Sequence, residues 1–365
     1  MKDRINIVGI ILAVILFILA AFRVNVGYDY AEYVSILQNP EALQRFEIGV
    51  KGLVYILQYF GFTDPQYFFI ATSLFIIFFT CIALRMLSES WGFSLCLFVF
   101  LGAYFNGLNV VRQYMAVPFF LLALYYLSNK AYLRTLFFLF ICALFHISIL
   151  MIVPWICLAM LPLKKYMYFI CIFLSLLLTC FDMTSLLQSV SVLLPERYQF
   201  YLQSTFTSGR SLLGLVKVVF PLVLIIVFLA INDLRKCSLL ERIFLNLLLF
   251  SICLGLLFPG NMLVLRIAWY FDVAPVILIP IMFKQLNKPQ NKAYFALFVS
   301  EYSLCYFVLY YIIRNNSAIF PYTFNFSVLQ MKTLFFIITL FFVFELAVFL
   351  YMLLNRRLKH EVWRR

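Results

Sequence analysis

Charge is what this sequence has least of. Asp, Glu, Lys and Arg make up 12% of its 365 residues, while 65% are hydrophobic and the mean hydropathy is +1.02. A soluble domain is about a quarter charged and about 45–50% apolar. A particle of this size cannot hide so much apolar surface from water. Soluble enzymes, coiled coils and disordered tails are excluded, which leaves a polytopic membrane protein. Alternation of apolar and polar residues is also missing, which excludes a transmembrane β-barrel and leaves helices. Histidine is nearly absent, with His146 and His360 only. The nine cysteines contain no CxxC pair and nearly all lie inside apolar runs. They read as small core residues, so neither disulfides nor a bound metal is expected. The net charge of +13 sits in short clusters between apolar runs, the pattern of the positive-inside rule rather than of a nucleic-acid groove.

Long apolar runs are abundant. A bilayer crossing takes roughly 17–25 helical residues, and the sequence predicts an all-α bundle of about twelve crossings. Their limits are near 5–22, 66–87, 92–109, 112–128, 132–147, 148–163, 166–181, 214–231, 243–258, 264–283, 293–313 and 333–354. Residues 5–22 follow Lys2 and Arg4 as a signal peptide would, but no small-residue cleavage site comes after them, so they are kept as the first helix. Residues 132–163 are too long for one crossing and carry basic clusters at both ends, so a hairpin turning near His146 is expected. Residues 39–62 read as one amphipathic helix lying in the interface. Its apolar stripe is Leu43, Phe46, Val50, Leu53, Val54, Leu57 and Phe60, opposite Glu41, Gln44, Arg45, Lys51 and Gln58. With the N-terminus in the cytoplasm, 18 of the 28 Lys and Arg fall on the cytoplasmic side. The whole chain, 1–365, is then a single integral membrane domain with both termini cytoplasmic and outer segments near 23–65, 182–213 and 314–332. No internal repeat or soluble domain is visible.

The outer boundary collects polar residues that need explaining, since a charge at membrane depth is costly. They are Tyr28 and Asp29 after the first run, Asn109, Arg112 and Gln113 at the fourth, His146 at the hairpin, Arg197 and Tyr198 in the middle loop, and Arg266 and Tyr270 at the tenth run. Arginine forks onto phosphate oxygens and stays charged in poorly hydrated surroundings. Tyrosine faces suit pyranose rings, and histidine suits a general base near neutral pH. Each also has a plainer reading. An arginine at a helix end can snorkel to the interface. A lone histidine can hydrogen-bond a carbonyl, and tyrosines form interfacial belts. Glu301 and Glu345, near mid-span, suit a proton relay or a neutral packing role equally.

In combination these residues carry a resemblance. Asn109-x-x-Arg112-Gln113-x-x-Ala116, Phe145-His146-x-Ser148, Gly27-x-Asp29-Tyr30-x-x-Tyr33 and Arg266-x-x-x-Tyr270-Phe271 resemble the EpsG family of exopolysaccharide polymerases, relatives of Wzy-type O-antigen polymerases. The similarity covers about residues 25–285. It implies a multi-pass protein of the bacterial cytoplasmic membrane, distantly similar to the GT-C glycosyltransferase architecture. It implies transfer of a growing glycan from undecaprenyl pyrophosphate onto a lipid-linked repeat unit at the outer face, as in O-antigen, capsule or exopolysaccharide synthesis. Expected partners are that lipid-linked oligosaccharide and polymer, membrane lipid and other polysaccharide-assembly proteins, with no nucleic acid, no cofactor and no metal. On this resemblance His146 is the base, Arg112 and Arg266 clamp the pyrophosphate, and Asp29 positions an acceptor hydroxyl or replaces the base. Gln113, Asn109, Tyr28, Arg197, Tyr198 and Tyr270 bind substrate. The sequence places no acidic residue beside His146 to orient it. A flippase of lipid-linked oligosaccharide and a membrane acyltransferase remain alternatives. The first would favour paired halves with broken helices, the second a cytoplasmic histidine.

Overall fold

The structure is a computed structural model that describes residues 7–37, 39–181, 212–259, 261–315, 317–327, 332, 333 and 335–347, with Met183 and Ser189. Apart from Met183, Ser189, Leu212 and Leu213, the middle outer segment expected near 182–213, with Arg197 and Tyr198, lies outside the described residues.

Every one of the twelve apolar runs carries a helix. In chain order the helices are α1 (Ile7–Ala21), α2 (Tyr30–Ser35), α3 (Pro40–Gln44), α4 (Ile48–Tyr59), α5 (Pro65–Leu87), α6 (Trp91–Phe100), α7 (Ala103–Asn109) and α8 (Val111–Ser128). They continue as α9 (Tyr132–Phe145), α10 (Ile149–Ala159), α11 (Lys165–Leu178), α12 (Leu212–Ile231), α13 (Leu239–Leu257), α14 (Met262–Phe271), α15 (Ala274–Gln285) and α16 (Pro289–Phe307). A π-helical turn, Val308–Ile313, extends α16, and Phe335–Ala347 forms α17. Among the described residues four stretches are long and apolar enough to cross a membrane: Pro65–Leu87, Leu239–Leu257, Val264–Gln285 and Pro289–Ile313. The α6–α7 pair makes a fifth if counted as one span, bent by 59° at Leu101–Gly102. The bend has a local cause. Gly102 has φ +90°, and a Cβ there would overlap the Tyr311 hydroxyl, so only glycine fits.

The core forms around α5, α8 and α13. Nearly every residue of α8 is buried, as expected of a helix apolar on all sides; it packs on α5, α9 and α13. Asp64 caps α5 by accepting from the Gln66 N–H at 2.8 Å, with Pro65 at the first turn. A Ser238–Glu241 capping box starts α13.

Polar links gather at the two ends of the bundle. At one end Lys284 pairs with Glu89 at 2.9 Å, and Gln285 joins Asn232 and Glu241. At the other end the segment after α1 meets residues 317–327. A two-residue antiparallel bridge, absent from an all-α expectation, pairs Arg23 with Phe324 and Val24 with Thr323, and the Gly27 N–H donates to the Ala318 carbonyl at 2.9 Å. Glu301 and Glu345 are exposed on α16 and α17.

The single interface helix expected over residues 39–62 is instead two helices, α3 and α4, broken at Arg45–Glu47. Glu47 is extended (φ −69°, ψ 158°) at the start of α4. The break buys a different position for one carboxylate, and the candidate site depends on it.

Candidate functional site

The site is built at the end of the bundle where α2, α4, α8 and α9 converge. Arg112 lies in the first turn of α8. Its Cζ stands 4.6 Å above the centre of the Phe46 ring, so the residue before Glu47 forms its floor. One guanidinium nitrogen donates to Glu47 Oε2 at 2.9 Å. The hydroxyl of Tyr33, from α2, approaches the same guanidinium, and Tyr33 is itself held by stacking on Phe68 of α5. The Nε of Arg112 is buried without a partner among the described residues.

His146 ends α9, where the backbone turns extended (φ −155°, ψ 109°) before α10. Its Nδ1 lies 3.3 Å from Glu47 Oε1, and neither atom has another partner among the described residues. One carboxylate thus bridges a guanidinium and an imidazole, and all three side chains are at most 10% exposed. Burial alone would raise the Glu47 carboxyl; His146 and Arg112 outweigh it and hold Glu47 at about 2. Glu47 is therefore an anion at neutral pH. Facing Nδ1, it favours the tautomer that carries the proton there and leaves Nε2 as the acceptor.

Most of the other sequence candidates gather around this core. Gln113 donates from Nε2 to the Arg266 carbonyl at 2.6 Å, tying α8 to α14. Asp29 precedes α2 and feels both Arg266 and Arg112. Burial raises its carboxyl, with Glu32 adding to the rise and the two arginines opposing it. Tyr270 is fully buried, edge-on to Phe120 and beside Ser148. Tyr28 and Asn109 link segments to one another. The Tyr28 ring is exposed, and its N–H donates to Asn109 Oδ1 at 2.6 Å. The Asn109 amide donates onward to the Ser317 carbonyl at 3.2 Å. Together they fasten the segment carrying Asp29 to the start of α8. Among the described residues no three His, Cys, Asp or Glu side chains gather closely enough to hold a metal ion.

Glu47 is what the sequence reading missed, and it overturns the statement that no acid accompanies His146. A signal was present. Leu43, Glu47, Val50, Val54 and Leu57 follow the 4-3-4-3 spacing of one helical face, and all but Glu47 are apolar and buried. A carboxylate inside an apolar stripe needs a partner.

A many-helix membrane protein with a buried Arg–carboxylate–His cluster at one end of the bundle is equipped to hold an anionic group and to move a proton beside it. The chain belongs to the EpsG family, whose family model matches residues 6–324. Membership makes it a multi-pass membrane protein of the exopolysaccharide-polymerase, glycosyltransferase type, for which a lipid-linked oligosaccharide is the general substrate. No curated protein and no solved structure gives a significant match.

Proposed function

We propose that the protein is a Wzy-type repeat-unit polymerase of the bacterial cytoplasmic membrane, with twelve crossings in a GT-C-like arrangement and the site on the outer face. The donor is a glycan on undecaprenyl pyrophosphate, and the acceptor is the non-reducing end of a lipid-linked repeat unit. The observation that carries this reading is the Arg112–Glu47–His146 cluster, with Arg266 and Asp29 beside it.

In the reaction the acceptor hydroxyl oxygen attacks the donor's anomeric carbon while its proton passes to Nε2 of His146. The bond from that carbon to the pyrophosphate oxygen breaks, and the electron pair leaves with undecaprenyl pyrophosphate. Glu47 orients the imidazole and stabilises the imidazolium as it forms, a positioning role. Arg112 and Arg266 stabilise the charge growing on the pyrophosphate, as preorganised cations do in poorly hydrated sites. Asp29 holds the acceptor hydroxyl. Gln113 fixes the α14 backbone beside Arg266, and Tyr270, buried against Phe120, supports the sugar site from behind. Arg197 and Tyr198 assist from the middle outer loop.

The surface glycan of a strain lacking this protein tests the reading. Loss of long chains with survival of single capped units is expected. Loss of both would indicate a flippase and contradict it.

A further inference from the structure

Arg23 lies two residues beyond the end of α1 and is 2% exposed. Its backbone pairs with Phe324 in the two-residue bridge. Its guanidinium has no ion pair and no hydrogen bond among the described residues, and Nε is buried without a partner. The neighbours are aromatic: Cζ stands 4.8 Å over the Phe69 ring, and the hydroxyls of Tyr322, Tyr104, Tyr33 and Tyr30 lie near enough to feel its charge. Two of those hydroxyls donate elsewhere, Tyr104 to the Leu16 carbonyl at 2.8 Å and Tyr322 to that of Leu19 at 2.6 Å. A guanidinium stays charged, and a buried charge with nothing to balance it is destabilising.

The same side chain lines a small cavity shared with Thr72, Ser73, Tyr104 and Tyr114. Its volume, about 20 Å³, accommodates a single oxygen-sized atom. A buried cation beside a space of that size matches one oxygen of a tetrahedral oxyanion. Residues 317–327 are fastened beside Arg23 by the bridge and by the Gly27–Ala318 and Phe22–Asn325 backbone bonds. A two-residue ladder is weak enough to open.

We propose that Arg23 is an anion subsite that takes a phosphate oxygen, separate from the Arg112 clamp and sharing Tyr33 with it. This rests on the function proposed above only for the source of the phosphate. A reaction between two lipid-linked glycans brings two pyrophosphates to the protein, and only one is the leaving group. Arg112 and Arg266 hold that one, and Arg23 holds the other.

The test uses the full chain in detergent, with inorganic pyrophosphate and farnesyl pyrophosphate as probes, read by calorimetric stoichiometry and by melting temperature. Wild type should bind two pyrophosphates per chain. Arg23→Met should lose one class, weakened about ten- to hundred-fold for a lost charge-assisted contact, while Arg112→Gln loses the other. Without phosphate, Arg23→Met should melt as high as wild type or higher, because an unbalanced charge has gone. Arg23→Met that melts lower and keeps both classes would make Arg23 a packing group on Phe69 and overturn the proposal. Loss of the Arg112 class alone would leave the proposed donor clamp standing while this subsite fails. Should Arg23→Met not fold, Arg23→Lys retains the charge and should bind one class more weakly; wild-type affinity for both classes would also overturn it. Phosphatidylglycerol micelles that compete for the Arg23 class, where phosphatidylcholine micelles do not, would assign the phosphate to a membrane head group. No competition would assign it to the second polyprenyl pyrophosphate.

Discussion

Glu47 sits between two groups with opposite needs. Arg112 must remain charged to hold an anion, while His146 must be neutral to accept a proton. A single carboxylate serves both, as its 2.9 Å and 3.3 Å contacts permit. The cost is acid sensitivity. The Glu47 carboxyl is held at about 2 in the folded protein, below its ordinary 4.5. A depressed folded-state value contributes stability that is complete above the ordinary value and lost as the pH falls from about 4.5 towards about 2. Melting temperature against pH, wild type beside Glu47→Gln, checks this. At neutral pH the variant should be destabilised by about 3–5 kcal/mol, because Arg112 loses its buried counter-charge. The gap should close as the pH falls through that window. Parallel curves would remove Glu47 from the ion-pair role.

At the scale of elements, the break between α3 and α4 aims Glu47, and Gly49 lets α4 close on α9. A Cβ at Gly49 would meet the Leu144 carbonyl oxygen at 2.8 Å and the Phe145 ring at 2.8–2.9 Å, immediately before His146. Gly52, one turn on, faces nothing within 4 Å. Gly49→Ala should therefore separate Glu47 from His146 and cut polymerisation by about ten-fold or more, since small misplacements of catalytic groups are expensive. Gly52→Ala should leave it unchanged, and equal activity in the two variants would contradict the account. The same region shows what was legible in the sequence. Each apolar run locates a helix because hydrocarbon demands long apolar segments, whereas α2 and the division of α3 from α4 lie outside those runs. Arg112, Gln113, His146, Asp29 and Arg266 stand out because polar groups at such positions are rare. The α3–α4 break did not stand out, because Arg45-Phe46-Glu47 contains neither Pro nor Gly. It is set by tertiary contacts from Arg112 and His146, dozens of residues away. The link from the Tyr28 N–H through Asn109 to the Ser317 carbonyl also depends on distant partners and cannot be read from spacing.

At the scale of the molecule, the topology proposed above puts the Arg112–Glu47–His146 end outside. Asn315→Cys and Ser208→Cys should label with a membrane-impermeant thiol reagent in intact cells, and Asn287→Cys should not; labelling at position 287 would invert the molecule. The central claim is that one buried histidine, oriented by Glu47, moves the proton in a polymerisation driven by a lipid pyrophosphate leaving group. Its most direct test is extension of a lipid-linked repeat unit by purified wild type and His146→Gln, with both melting curves recorded. The glutamine keeps a hydrogen bond to Glu47 without the basicity. The expected result is a variant of near wild-type melting temperature that turns over about 10²–10⁴-fold more slowly, the usual worth of general-base catalysis. It should also lack the fall in rate on acidification expected of wild type. A stable His146→Gln protein that makes full-length polymer at the wild-type rate would contradict the account.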